Sequence, residues 1–269
     1  MARWDWYQAT VHSVGVDEIS ASALRHFDLV DLCPCKPQNG YQRGAEVRRG
    51  AHTLLRLMWG GNPGVNITGT GEDSPAVALF VRQWEHRVTR VDACEDWVEH
   101  GLFDRLSKVL SSYAVEAGIA IGTEGDWIRG KARTLYLGSK DSTCRLVIYE
   151  KGAQMGLEQP WVRLEARVRP KGKAGYKVAS WQPGEAFGAC EWFVEALKRI
   201  GWDHLSKQSV GTVWRASDLD RAKLQLVRQY KATIKAWKTE CGGSWELLGQ
   251  SFEALEQELD RVVLPHCHD

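Results

Sequence analysis

The sequence predicts an α+β fold, a mostly antiparallel sheet with helices on one face followed by a helical C-terminal region. Three observations carry this. Residues 144–150 and 161–168 alternate polar and apolar side chains with the period of half-buried strands, as in Trp161-Val-Arg-Leu-Glu-Ala-Arg-Val168. The cluster Gly60-Gly61-Asn62-Pro63-Gly64 sits between two strand-like runs, where a hairpin turn is expected. After Pro183 the apolar spacing becomes helical throughout.

Taken in order, residues 4–11 read as a strand, 17–27 as a helix, and 41–68 as strands broken by the glycine cluster. A helix is expected over 74–85, with Ser74 as its natural N-cap before Pro75. A longer helix is predicted over 96–117, with Trp97, Phe103, Leu106 and Leu110 on one side. Strands are expected near Trp127 and over 134–137, 144–150 and 161–168. The remaining helices are placed at 185–200, 217–239 and 245–263, where Leu219, Leu226, Tyr230, Ile234 and Trp237 make an apolar stripe more typical of a core face than of a partner site. Gly172, Gly175, Pro183 and Gly184 make the stretch between Lys171 and Gly184 permissive, which puts the domain boundary there, with one domain over 1–175 and the helical region over 176–269.

Composition excludes some classes. With 269 residues, 43% hydrophobic and 26% charged, the chain resembles ordinary soluble globular proteins. No apolar run approaches a membrane span and the first residues lack the plan of a signal peptide, so a cytoplasmic protein is expected. Seven cysteines without a repeated spacing fit reduced thiols better than a disulfide framework. Cys33-Pro-Cys35 and His266-Cys267-His268 are poor zinc ligands by spacing. Most of the thirteen tryptophans fall at periodic apolar positions and are expected in the core.

The net charge is only +1, whereas duplex-binding domains are often distinctly basic. Its distribution matters more. Between Asp126 and Lys177 there are twelve Lys and Arg against five Asp and Glu, a surplus of seven positive charges in one segment. Such a surface suits phosphates and would make binding fall with salt. Any single lysine there, Lys171, Lys173 or Lys177, is more simply read as solvating a loop.

Within that basic segment, side chains two apart share a strand face, so Tyr149 projects with Lys151 and Arg163 with Glu165. Antiparallel pairing of the two strands would bring both sets to one substrate. The run His86-Arg-Val-Thr-Arg-Val-Asp-Ala-Cys-Glu-Asp-Trp97 reads as a strand ending in acids, with Arg90, Asp92, Cys94 and Asp96 on a common face. A tyrosine beside two carboxylates has a definite chemical use: the carboxylates hold a divalent cation that polarises a phosphodiester, and the phenol oxygen attacks phosphorus to leave a 5′-phosphotyrosine.

These segments, in this order, resemble the Rep_trans-type replication initiation factors of plasmids, filamentous phages and integrative elements, including the NicK-like relaxases. The resemblance rests on Arg3-Trp-Asp-Trp-Tyr-Gln-Ala-Thr10, Trp59-Gly-Gly-Asn-Pro-Gly-Val-Asn-Ile-Thr-Gly69, Val88-Thr-Arg-Val-Asp92, Tyr136-Leu-Gly-Ser-Lys140, Leu146-Val-Ile-Tyr-Glu-Lys151 and Val162-Arg-Leu-Glu-Ala-Arg167. It covers roughly residues 1–170, and the combination is more specific than any one motif. It implies a rolling-circle initiator that nicks one strand of origin DNA, with Tyr149 as nucleophile and Asp92 and Glu165 as ligands of Mg²⁺ or Mn²⁺. It also implies a host helicase and polymerase as partners. Independently of it, the C-terminal helices could read origin DNA, form a homodimer or cover the sheet.

Lys151 is placed beside Tyr149 to lower its pKa or hold the scissile phosphate. Arg163, Arg167, Lys171 and Lys173 are the candidate DNA contacts, and Asp96, Glu150 and Ser139 form a second rank, Glu150 because it points away from Tyr149 on a regular strand. Two other classes stay open. A non-cleaving DNA-binding regulator would form no covalent adduct, and a metal-dependent hydrolase would not need Tyr149.

Overall fold

The computed structural model describes residues 2–202 and 218–262. Its frame is one sheet of ten strands, all neighbours antiparallel: β1 (Arg3–Val11), β2 (Asp31–Pro34), β3 (Arg43–Arg49), β4 (His52–Gly60), β5 (Asn62–Thr70), β6 (His86–Val98), β7 (Ile121–Asp126), β8 (Lys131–Leu137), β9 (Cys144–Glu150) and β10 (Trp161–Val168). Their order is β2-β3-β4-β5-β1-β6-β10-β9-β8-β7. The sheet is thus two antiparallel wings, β2 to β5 and β7 to β10, joined through the central strands β1 and β6. The expected α+β class is the one observed.

Alternation assigns the two faces. On one, Tyr7, Ala9, Val11, Ile67, Val91, Ala93, Leu146, Ile148, Leu164 and Ala166 pack into a continuous core. Against this face lie α1 (Val16–His26), α2 (Ser74–Val81) and α3 (Leu102–Glu116), through Ile19, Val77, Phe80, Phe103 and Leu110. The other face carries Glu46, Arg56, Thr68, Gln8, Arg90, Asp92, Arg167, Glu165, Arg145 and Tyr149, joined strand to strand by their register. A single turn of helix, α4 (Lys151–Gln154), continues directly from β9.

Several expectations move. The helix expected from 96 begins instead at Leu102, because β6 continues to Val98, opposite Trp161, and Gly101 at φ +72° makes the break. Asp96 is therefore a strand residue. Ser74 is the first residue of α2 with its hydroxyl buried and without a hydrogen-bond partner, and Asp73 occupies the cap position. The helix expected over 185–200 is two pieces, a 3-10 turn Pro183–Gly188 and α6 (Glu191–Lys198), and a short α5 (Ala174–Val178) precedes them. Val178, Trp181, Phe187 and Phe193 from this region bury in the same core as the sheet. Accordingly the chain divides into Met1–Thr212 and Val213–Asp269, and the boundary expected near 175 falls inside the first unit.

The second unit contains α7 (Asp218–Glu240), kinked at Tyr230, and α8 (Trp245–Val262). Trp237 packs on Phe252 and donates its indole N–H to Ser251 Oγ at 3.0 Å. Leu226 and Tyr230 of the expected core stripe are about half exposed. His266, Cys267 and His268 lie outside the described residues. Among the described residues no helix is long and apolar enough to cross a membrane.

Candidate active site

Tyr149 lies on β9 opposite Arg163 of β10, with Thr134 of β8 on its other side. Its hydroxyl donates to Glu165 Oε1 at 2.5 Å. Burial and then the neighbouring Glu165 charge push the Tyr149 phenol well above its ordinary pKa, so the proton stays on the phenol until something takes it. The contact is set by the pleat: Glu165 is two residues from Arg163 along β10, on the same face, and leans back to the phenol.

The second oxygen of Glu165 accepts from Arg167 at 2.7 Å, and Arg167 Nε lies 3.7 Å from Asp92 Oδ2. Asp92, paired with Trp6 and Arg167 by register, also accepts two hydrogen bonds from Arg90. The predicted trio of Tyr149, Asp92 and Glu165 is therefore one contiguous chain on three adjacent strands, with Arg167 as the link. Carboxylate oxygens are the donors that Mg²⁺ or Mn²⁺ takes, and these two come from neighbouring strands. The Arg167 guanidinium occupies the position between them. Among the described residues no three His, Cys, Asp or Glu side chains converge as a metal cluster, so water and phosphate oxygens would complete the shell.

Arg163 behaves differently. It is 2% exposed, donates to Asp96 Oδ1 at 2.7 Å and Oδ2 at 3.0 Å, and reaches Asp5 at 2.8 Å. Burial is the strongest single influence and works against its charge, yet the hydrogen bonds to Asp96 and the neighbouring acidic groups, Asp5 among them, together outweigh it and hold the guanidinium protonated. The same bonds, with the Trp161 N–H and against the cost of burial, depress the Asp96 carboxyl. Asp5 reaches this cluster because β1 bulges between Trp4 and Trp6, which sequence alternation does not reveal. As a DNA contact Arg163 is thus corrected: its donors are spent within the protein, and it positions the strands beside Tyr149.

Lys151 stays near Tyr149, though not by strand alternation. The strand ends at Glu150 and the chain turns into α4, so the alternation that put Lys151 on the face of Tyr149 stops one residue too early. Its amine donates to Gln154 and lies 5.8 Å from the Tyr149 ring centroid, and the phenol pKa is raised rather than lowered. Glu150 faces the other side, where it binds Arg133. Ser139 is exposed in the β8–β9 turn, five residues beyond Thr134 and hence roughly 17 Å along the strand from Tyr149. Lys171 and Lys173 are exposed just past the far end of β10.

Residues not singled out from sequence as ligand contacts fill the space between. Arg145 lies opposite Arg167, stacks on Tyr136 at 3.9 Å, and its buried Nε has no hydrogen-bond partner. Arg169 comes immediately after β10, and Arg90 stacks on Trp6 at 4.3 Å. Burial, with the Arg167 charge second, lowers the Arg145 pKa, and burial with Arg90 second lowers that of Arg169. Four guanidiniums, Arg90, Arg145, Arg167 and Arg169, here meet two carboxylates, Asp92 and Glu165. An uncompensated cluster of this kind is an anion seat. The signal was present in sequence, since Arg145 shares the i, i+2, i+4 face with Tyr149.

No family model matches the sequence, and no curated protein matches it. Among solved structures the fold is similar to that of a rolling circle replication initiator protein from Geobacillus stearothermophilus, at a TM-score of 0.51 and 18% identity over 70% of this chain and 82% of that one. The chain therefore shares its fold with a rolling-circle replication initiator.

Proposed function

We propose that the protein is a rolling-circle replication initiator that nicks one strand of origin DNA by transesterification on Tyr149. The observation that carries this is the Tyr149 hydroxyl held on Glu165, beside a sheet face with more guanidiniums than carboxylates. The similar fold of the Geobacillus stearothermophilus initiator supports the same reading.

In this reading Glu165 Oε1 takes the phenol proton, the phenol oxygen forms the new bond to phosphorus, and the 3′-oxygen departs and is protonated to a 3′-hydroxyl. The resting phenol is a poor nucleophile, because its proton is firmly held. A phosphate entering the arginine cluster would draw Arg167 away from Glu165 and free that carboxylate's second oxygen. Asp92 and Glu165 would then hold Mg²⁺ or Mn²⁺, whose chemistry is to polarise the phosphodiester. The 3′-hydroxyl primes synthesis, for which a host polymerase and helicase are the expected partners, and the phosphotyrosine stores the bond for religation. Arg90, Arg145, Arg167 and Arg169 hold the phosphates on either side.

The experiment is incubation with fragments of the protein's own replicon plus Mn²⁺, and then denaturing electrophoresis. A protein band shifted by covalent DNA is expected. Cleavage without an adduct would favour a hydrolytic nuclease, and binding without either would favour a non-cleaving regulator.

A further inference from the structure

A cleft of about 460 Å³ opens on the same face of the sheet, over the end of β1 and the starts of β5 and β6. Its floor is Gln8, Thr10 and Asn66, and Arg87 and Tyr41 stand at its sides. It is a different place from the nucleophile. Gln8 is three strands from Tyr149 and, by register, six residues further along, which puts the two roughly 25 Å apart.

The floor is a built arrangement of neutral amides. Asn66 is 4% exposed and fully engaged: its Nδ2 donates to the Ala9 carbonyl and to Thr10 Oγ1, and its Oδ1 accepts from Gln8 Nε2 at 3.0 Å and from Thr68 Oγ1. Asn66 therefore fixes the Gln8 amide while using only one of its hydrogens. Gln8, partly exposed, keeps Oε1 and its second N–H for a ligand, an adjacent acceptor and donor. The Watson–Crick edge of every nucleobase carries such a pair in reverse, whereas a phosphate offers only acceptors. The cation at this end is Arg87, whose stem lies against Gly175 of α5, the helix that the basic run Lys171–Lys173 leads into. A strand running from Tyr149 across the arginine cluster would arrive here.

We propose that this cleft seats one unstacked base of the bound single strand, with Gln8 reading its edge and Arg87 holding the adjoining phosphate. The inference rests on the proposed DNA-binding function and adds to it the place where base identity is sensed.

The test measures binding of homopolymeric dA, dC and dT oligonucleotides to the full chain at two salt concentrations, in chelator so that no cleavage intervenes. The wild type should discriminate among the three. Gln8→Leu should reduce that discrimination, by roughly tenfold between best and worst, with its salt dependence unchanged. Gln8→Glu, which keeps the acceptor and loses the donor, should reorder the three, and thermal unfolding of both variants checks that Asn66 still holds the floor. Arg87→Ala should weaken all three alike and lower the salt slope by about 0.7. A wild type that binds all three equally, or a Gln8→Leu protein that discriminates as well as the wild type, overturns the base seat while leaving the initiator reading intact. A wild type that binds none of them removes the initiator reading itself.

Discussion

Two arginines on β10, Arg163 and Arg167, face the same side of one sheet and have opposite fates. Arg163 is enclosed by Asp5 and Asp96 and almost inaccessible. Arg167 is partly exposed, shares Glu165 and Asp92, and stands beside Arg145 and Arg169, which have no comparable acidic partners. What separates them is the local ratio of carboxylates to guanidiniums. Where Asp5 and Asp96 match Arg163 and Arg3 two to two the arginine is a structural rivet, and where the ratio falls to one to two the surplus charge is available for a ligand. Charge counted along the sequence cannot tell these apart, since Asp5 is far from Arg163 in the chain.

The sharpest division should appear in activity. Tyr149→Phe removes the only oxygen of that residue able to bond to phosphorus, so nicking and the covalent adduct should vanish while DNA binding persists. Electrophoresis for the adduct and a binding titration read the two separately. Retention of the adduct would move the nucleophile elsewhere. Glu165→Gln should slow nicking by roughly 10²–10⁴-fold if Glu165 is the base, and added Mn²⁺ should restore little of it. Asp92→Asn should instead recover in part at high Mn²⁺, because mass action refills a weakened cation site. Equal rescue of both variants would make Glu165 a ligand only.

Stability should divide the arginines in the reverse sense. Arg163→Ala leaves Asp96 and Asp5 with Arg3 as their remaining cation beside a void, and should lower stability in denaturant unfolding, by at most about 3–5 kcal/mol. Arg145→Ala removes a side chain whose Nε has no partner and whose charge is opposed by Arg167, so the fold should lose little. Its effect should be on DNA, with affinity for a single strand reduced and the salt slope lowered by about 0.7. A large stability loss from Arg145→Ala, or none from Arg163→Ala, would break the distinction.

The same contrast shows how far the residues could be read before the fold was known. The alternation of β9 and β10 brought Tyr149 and Glu165 within reach of each other and the separate strand β6 offered Asp92, and the structure joins them through hydrogen bonds and Arg167. Alternation fails where the backbone leaves its period. The bulge at Asp5, a second one at Thr89 and the turn into α4 after Glu150 each change the face on which the next residues project, and that is why the partner of Arg163 and the fate of Lys151 were not readable. The helix expected from Asp96 failed for a tertiary reason. Pairing with β10 holds residues 96–98 extended, and only Gly101 releases the chain into α3.

The smallest effect lies on the helix-covered face, where a buried polar pair carries no charge at all. His86 Nδ1 lies 2.9 Å from the Trp84 carbonyl, which can only accept, so Nδ1 carries the proton and Nε2 accepts from the Tyr7 hydroxyl at 2.7 Å. Burial, aided by the Arg82 charge and opposed by the Trp84 carbonyl, holds the His86 pKa below its ordinary 6.5, and burial raises the Tyr7 phenol to about 12. Below pH 6.5 the unfolded chain binds a proton on His86 that the folded one refuses, so stability should decline as pH falls through that value toward the lowered folded pKa. At the alkaline end the raised Tyr7 pKa gives stability that is fully present below 10 and lost as pH rises from 10 toward about 12. Denaturant unfolding of wild type and His86→Gln between about pH 5 and 7 isolates the acid branch, because the amide can still accept from Tyr7 but does not titrate. If the variant declines as steeply as the wild type over that range, the acid sensitivity belongs to the carboxylates of the open face and not to this pair.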